Sequence, residues 1–319
     1  MMNAAVVTSF QEPPHYQPFE APVPAEGKVL ADVLAAGLHP RVRTGAAGRH
    51  YTSSGTLPMI PGIDGVGRLP DGRLAYFASD DDVMGTMADK ALVDPRRSVE
   101  LPAGVDVAKV AAAMNPAMSS WVALRRRVPL KPGQCVLVLG ATGNAGAMAV
   151  RVARRLGAGR VVGAGRDPGR LSALVPAGAD EVVRLADDAD ATAGALAAAA
   201  ADADIVIDYL WGKPAQQAIM ALLTARGDRS RPLDWIQIGA VAGPTIELPS
   251  VALRSANFRL QGSGQGSVSP RTYLAELPSL VEEITAGTIA VRANAVPLAD
   301  VEDAWARSDT PGERTVLVP

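Results

Sequence analysis

Seven residues near the middle of the chain, Gly140-Ala141-Thr142-Gly143-Asn144-Ala145-Gly146, have the types and spacing needed to cradle a phosphate. Sharp bends and close backbone approach call for glycine, and a helix starting at such a turn offers free N–H groups and the positive end of its dipole to an anion. Ala141-x-Gly143-x-x-Gly146 has the spacing of a dinucleotide-binding turn, with Ala141 in place of the first glycine and Gly140 just before it. Thr142, Gly143, Asn144, Ala145 and Gly146 are the expected pyrophosphate contacts. A glycine triplet alone fits a tight strand-helix turn equally well, so its surroundings decide. Before it, the apolar run Val136-Leu137-Val138-Leu139 predicts a strand buried on both faces. After it, Ala145, Met148, Ala149, Val152, Ala153 and Leu156 recur at helical spacing with Arg151, Arg154 and Arg155 on the other face, and Gly157 is placed to end that helix.

The second strand of such a unit ends about twenty residues on, where an acidic side chain would hold an unphosphorylated ribose. Gly165 stands there, followed by Arg166, with Arg170 one helical turn further. Without the carboxylate the bond to both ribose hydroxyls is lost, whereas a guanidinium can clamp a phosphate with paired hydrogen bonds. The expectation is NADPH rather than NADH, with Gly165, Arg166 and Arg170 in the pocket. Asp167 could serve a ribose, but it lies two positions past the strand end and is better placed to cap the next helix.

The elements that must position these residues alternate. Apolar runs Val161-Val162, Ile205-Val206-Ile207 and Trp235-Ile236-Gln237-Ile238 are separated by helical patterns near 171–175, 193–201 and 215–223, which predicts an α/β doubly wound parallel sheet. The Ala-rich stretch 189–203 has the propensity of a helix rather than a linker. The first third is rich in Pro and Gly, with short β-type runs such as 28–34, and reads as mostly β. Beyond about Pro244 there are loops, a helix near 273–286 and a last apolar run, Thr315-Val316-Leu317-Val318; so short a tail is expected to return to the first domain.

With 319 residues, two domains are expected. The 31 Lys+Arg nearly balance 33 Asp+Glu, which gives no electrostatic footprint for nucleic acid or an anionic membrane, so the partner is expected to be a small molecule. Cys135 is the only cysteine, excluding an intramolecular disulfide and a thiolate zinc cluster. No apolar run reaches the length of a membrane span and the first residues do not read as a leader, so a cytoplasmic protein is expected.

Several motifs together resemble the zinc-independent quinone oxidoreductase branch of the medium-chain dehydrogenase/reductase superfamily, nearly end to end. Residues 35–45, with His39-Pro40-Arg41, look like the family segment with an Asn-Pro-x-Asp core. Residues 57–67 resemble its Pro-Gly-x-Asp/Glu turn, 130–138 the approach to the nucleotide loop, and Asp208 with Gly212 its later Asp-x-x-Gly-Gly. The resemblance implies a GroES-like domain over 1–115, a Rossmann domain over 116–255 and a segment 256–319 returning to the first. It also implies cofactor in the cleft between the domains and a homodimer through sheet extension near Phe258-Arg259-Leu260.

Zinc-dependent cousins carry a cysteine where Leu38 or His39 stands, a His-Glu pair where Ile63-Asp64 stands, and a four-cysteine site; with those missing, no metal is expected. Reduction without a metal is easiest on acceptors that are already polarised, such as quinones and α,β-unsaturated carbonyls, where hydride addition develops an enolate or phenolate. Tyr51 and His39 are the candidates to orient the substrate and donate to that oxygen. Tyr51 fits a packing residue of its loop equally well, and His39, in place of the family asparagine, fits changed chemistry equally well. Arg41 reverses the charge of the family aspartate; it either favours an anionic substrate or pairs on the surface. Ser119 could pack under the nicotinamide, Gly239-Ala240-Val241 should touch its ribose or amide, and Gly262-Ser263-Gly264 begins a donor-rich loop able to close over the cofactor. Cys135 is expected to pack in the core. Two alternatives stay open: an enoyl reductase of a biosynthetic pathway, and a non-catalytic NADPH-binding sensor or scaffold.

Overall fold

The computed structural model describes every residue except Ala25, Tyr51, Gln265, Ala290, Ser308, Thr310 and Pro311. The chain divides into two compact units, one of Met1–Asn115 with Leu274–Pro319, the other of Pro116–Tyr273. In chain order the first third forms β1 (Met2–Val6), β2 (His15–Phe19), β3 (Val29–Gly37), α1 (Pro40–Ala46), β4 (Asp64–Arg68), β5 (Leu74–Ala78), β6 (Lys90–Val93) and β7 (Ser98–Glu100). It is mostly β, as its composition implies. The sequence pattern gives no sign of α2 (Val107–Val122). The physical reason is burial on nearly every side: residues 110–114 are all buried, so no polar face exists to create a helical period.

The second unit is built from β8 (Cys135–Leu139), α3 (Asn144–Arg155), β9 (Arg160–Gly165), α4 (Pro168–Ser172), β10 (Glu181–Arg184), α5 (Ala189–Ala200), β11 (Ile205–Asp208), α6 (Gly212–Ala225), β12 (Leu233–Gln237), α7 (Ser250–Arg254) and β13 (Phe258–Gly262). Its six strands form one parallel sheet in the order β10-β9-β8-β11-β12-β13. The direction of winding reverses between β8 and β11, the topological switch point at which open α/β sheets bind ligands. All five β8 residues are buried, as the continuous apolar run requires. Leu137, Leu139, Leu196, Ile219, Leu222 and Trp235 form the core of one layer, and Phe258 packs edge-on against Trp235.

Strand β13 corrects one boundary. Residues 256–273 do not return to the first unit; Leu233–Gln237 pairs with Phe258–Gly262, so the crossing comes after Tyr273. The strand Phe-Arg-Leu-Gln-Gly is half polar because it lies at the sheet edge, and so it lacks the apolar run that marks β8.

After α8 (Pro270–Thr285) come β14 (Arg292–Pro297), α9 (Val301–Ala306) and β15 (Glu313–Val318). They complete a sheet ordered β14-β15-β3-β4-β5-β7, with β6 also paired to β3. Leu317 of β15 packs with Val6, Leu38, Ile60 and Met87 in the core of the first unit. No described helix is long and apolar enough to cross a membrane.

Candidate functional site

The loop after β8 has the shape its glycines predict. Gly140 takes φ +82°, and Gly143 is the extended residue that precedes α3. A Cβ built on Gly146 would lie 2.2 Å from Gly140 O and 2.7 Å from the Ala141 Cα, so only glycine lets α3 start this close to β8. Ala141 in the first-glycine position is fully buried and tolerated there. Among the described residues no side chain caps α3 through Gly143 and no acidic residue stands in its first turn, so no carboxylate there offsets the positive end of the helix dipole. This cradle fits a pyrophosphate.

Gly165 ends β9 against the side chain of Thr142: a Cβ there would lie 2.4 Å from Thr142 Cγ2 and 2.7 Å from its Oγ1. The site is therefore closed to the ribose-binding carboxylate on steric grounds. Asp167 instead caps α4, accepting from the Arg170 amide at 2.9 Å. Arg170 turns back onto the loop, with Nη1 donating to Thr142 O at 3.4 Å and its buried Nε lacking a hydrogen-bond partner among the described residues. Arg166 is exposed at the strand end. Of the two arginines, Arg170 is docked on the glycine loop and Arg166 is exposed.

At the switch point, Asp208 is fully buried and organises the following turn. Its Oδ1 accepts from the amides of Leu210 (2.8 Å) and Trp211 (3.0 Å), and its Oδ2 from the Trp235 indole (3.1 Å). Burial pushes its carboxyl above the ordinary range, against the pull of those three donors. Trp211 stands where the family motif has its first glycine, yet keeps a left-handed φ of +52° that glycine would adopt without strain. Tyr209, between Asp208 and Leu210, holds Ser119 by a 2.9 Å hydroxyl contact. Nothing in its sequence surroundings distinguishes Tyr209 as a site residue.

The remaining cofactor candidates lie at the same, C-terminal, ends of the parallel strands. The Ile238 and Gly239 amides both donate to Asp208 O, and a Cβ on Gly239 would be 2.7 Å from Tyr209 O. Ala240 and Val241 are exposed beyond it. The Ser263 amide donates to Gln237 O at 2.8 Å, and Gly264 N to Ser267 Oγ at 2.7 Å. Arg127 clamps both ends of that loop through Gly262 O (3.0 Å) and Ser267 O (3.2 Å). It projects from a π-helical turn, Ala123–Arg127, at the end of α2.

In the first unit, His39 is 2% exposed. Its Nε2 lies 3.2 Å from Asp64 Oδ1, while Asp64 Oδ2 accepts from the Tyr76 hydroxyl at 2.7 Å. Facing a carboxylate, Nε2 carries the proton and leaves Nδ1, which is buried without a hydrogen-bond partner among the described residues. The ring fits because Gly37 has no side chain, since a Cβ there would be 2.5 Å from His39 Nε2. Asp64 and Tyr76 are partners that sequence inspection does not supply. Tyr51 lies outside the described residues. Arg41 donates to Thr52 Oγ1 at 3.3 Å. No three His, Cys, Asp or Glu among the described residues are grouped to hold a metal ion. Cys135 is buried, which pushes its thiol up to about 11, so it stays a packing thiol.

No family model matches the chain. The probable NADPH-dependent quinone reductase tdiC of Emericella nidulans is 32% identical over 364 aligned positions that span the whole of both chains. Human quinone oxidoreductase is 31% identical over 161 residues, 48% of this chain and 49% of the relative. Among solved structures, the quinone oxidoreductase of Thermus thermophilus, also determined in complex with NADPH, superposes over the full length of both chains with a TM-score of 0.82 and 25% identity. A mycobacterial quinone oxidoreductase does so with a TM-score of 0.83 and 21% identity. The chain belongs to the quinone oxidoreductase branch of the medium-chain dehydrogenase/reductase superfamily. Its parallel-sheet unit is accordingly a Rossmann domain and its β unit is GroES-like.

Proposed function

We propose that the protein is an NADPH-dependent, zinc-independent reductase of quinones and related α,β-unsaturated carbonyls. The observation that carries the cofactor is the glycine loop at the switch point, where Gly146 packs on Gly140 and Gly165 on Thr142, with Arg170 docked on the loop. Quinone as the substrate class is supported by tdiC, whose similarity spans the whole chain.

Bound in this site, NADPH supplies a hydride. The chain's own residues do the rest. The loop Thr142-Gly143-Asn144-Ala145-Gly146 would hold the pyrophosphate at the start of α3, Arg166 and Arg170 the 2′-phosphate, and Ser119, Gly239-Ala240-Val241 and Gly262-Ser263-Gly264 the nicotinamide end. His39 and Tyr51 orient the substrate, and a hydrogen bond donated to the oxygen that becomes enolate or phenolate stabilises it. We further propose a cytoplasmic homodimer joined by extension of the sheet at its edge strand β13.

The test is calorimetric titration with NADPH and NADH, followed by NADPH oxidation across a panel of quinones and enones. Equal affinity for both cofactors sinks the NADPH assignment. Binding without turnover on any acceptor sinks the reductase in favour of a sensor. Activity that disappears with a chelator and returns with zinc sinks the metal-free chemistry.

A further inference from the structure

The backbone that follows edge strand β13 is held by a side chain from outside the sheet. Ser263 N donates to Gln237 O of β12 at 2.8 Å, and past that bond the segment closes on itself. Gly264 N donates to Ser267 Oγ at 2.7 Å, while Ser267 N and Oγ donate to Gly264 O at 3.1 Å and 2.8 Å. The carbonyls at its two ends, Gly262 O and Ser267 O, accept from Arg127 Nε at 3.0 Å and Nη1 at 3.2 Å. Both bonds have a cationic donor, which makes them stronger than bonds between neutral groups. Arg127 thus fixes the mouth of the loop and Ser267 its interior.

The π-helical turn at the end of α2 is what presents Arg127. Val128 N donates to Ala123 O at 2.9 Å, five residues back, and the extra residue turns Arg127 off the register that a continuing α-helix would give it. Single π-turns of this kind recur at functional sites. Strand order then tells which part of a dinucleotide the clamped loop faces. Gly165 ends β9, the glycine loop follows β8, and β13 lies three strands from β8 on the side away from β9. With the pyrophosphate on the glycine loop and the 2′-phosphate at the end of β9, the nicotinamide end is the part that extends toward β13.

We propose that Arg127 is a positioning residue for the cofactor: it preforms the backbone at Gly262-Ser263-Gly264, so that the nicotinamide end meets a loop already in place. The inference rests on the dinucleotide assignment above and adds the side chain that holds this part of the site. A loop ordered before binding contributes affinity because its ordering entropy is not lost when the ligand arrives. Arg127 acts through the two carbonyls it clamps and not on the cofactor itself.

The test is calorimetric titration of the full chain with NADPH and with an adenosine bisphosphate that keeps the 2′-phosphate end and lacks the nicotinamide. Arg127→Ala should weaken NADPH by about tenfold and leave the bisphosphate within about twofold. Arg127→Lys, whose ammonium can serve one of the two carbonyls, should lose only about threefold on NADPH. Ser267→Ala removes the acceptor of Gly264 N with Arg127 in place, and should also weaken NADPH selectively, by roughly threefold. The lysine and serine variants give the same reading should Arg127→Ala fail to fold. Unchanged NADPH affinity in Arg127→Ala, a loss shared equally by the bisphosphate, or a lysine variant no better than alanine overturns the positioning role. Wild type that binds the bisphosphate as tightly as NADPH overturns it alone, whereas wild type that binds neither overturns the dinucleotide assignment with it.

Discussion

The Cα of Gly165 sits so close to Thr142 that a Cβ on it would lie 2.4 Å from Thr142 Cγ2. The absence of a ribose-binding carboxylate is thus built into the packing of β9 against the nucleotide loop. Gly165→Asp should not convert the protein to NADH use. It should cost about 1–3 kcal/mol through overpacking and weaken NADPH as the loop shifts. Thermal melting with parallel NADPH and NADH titrations checks this, and a gain in NADH affinity would contradict it.

Arg170 already lies on the loop, bonded to Thr142 O, while Arg166 projects into solvent. Arg170→Ala should weaken NADPH by roughly 10- to 100-fold, as expected for loss of a charge-assisted pair to phosphate, and leave NADH within about twofold. Arg166→Ala should cost less, and its effect should shrink faster as salt is added. Affinities at two ionic strengths decide the ranking.

Gly143 and Gly146 have different work in the loop. Gly146→Ala drives a methyl toward Gly140 O, which would lie 2.2 Å away, and should destabilise the fold by about 2 kcal/mol or more. At Gly143 the nearest atom to a Cβ is Gly140 O at 3.5 Å, an ordinary contact. Gly143→Ala should keep the melting temperature within a few degrees while weakening NADPH, because the methyl stands where phosphate approaches. A matched loss of stability in both variants would refute the distinction.

How far the sequence carries the reader follows from where its information is local. The loop 140–146, its flanking strand and helix, and Asp167 as a cap rest on short-range spacing, and each is found in place. Helix α2 is hidden because a helix buried all round has no period to detect. Strand β13 is hidden because an edge strand need not be apolar. The partners His39–Asp64–Tyr76 and Ser119–Tyr209 are separated by 25, 12 and 90 positions, and only the folded sheet brings them together.

The first of those networks should behave as a unit. Asp64→Asn confronts the His39 Nε2 proton or the Tyr76 hydroxyl with an amide N–H, and should cost about 2–4 kcal/mol. Tyr76→Phe leaves one carboxylate oxygen short of a donor, for about 1–3 kcal/mol. Because both act on one carboxylate, the double variant should cost less than the sum. Urea denaturation of the four-protein cycle measures the coupling, and strict additivity would show that the two bonds are independent.

Asp208 gives a pH signature of definite sign. Its folded-state pKa is raised by burial, so the folded state holds the proton more tightly than the unfolded chain. Its contribution to stability is then fullest below the unfolded value of about 4 and is lost as pH rises through the higher folded value. Asp208→Asn keeps the acceptor for Leu210 and Trp211 but leaves the Trp235 indole facing an amide N–H, a loss of about 1–3 kcal/mol. Having no proton to release, the variant should lack that part of the pH dependence. The stability gap between wild type and Asp208→Asn should therefore narrow between pH ~4 and pH ~7. Urea denaturation at those two pH values decides it, and a gap that widens toward neutral pH would mean that the three donors outweigh burial and hold Asp208 below its ordinary value.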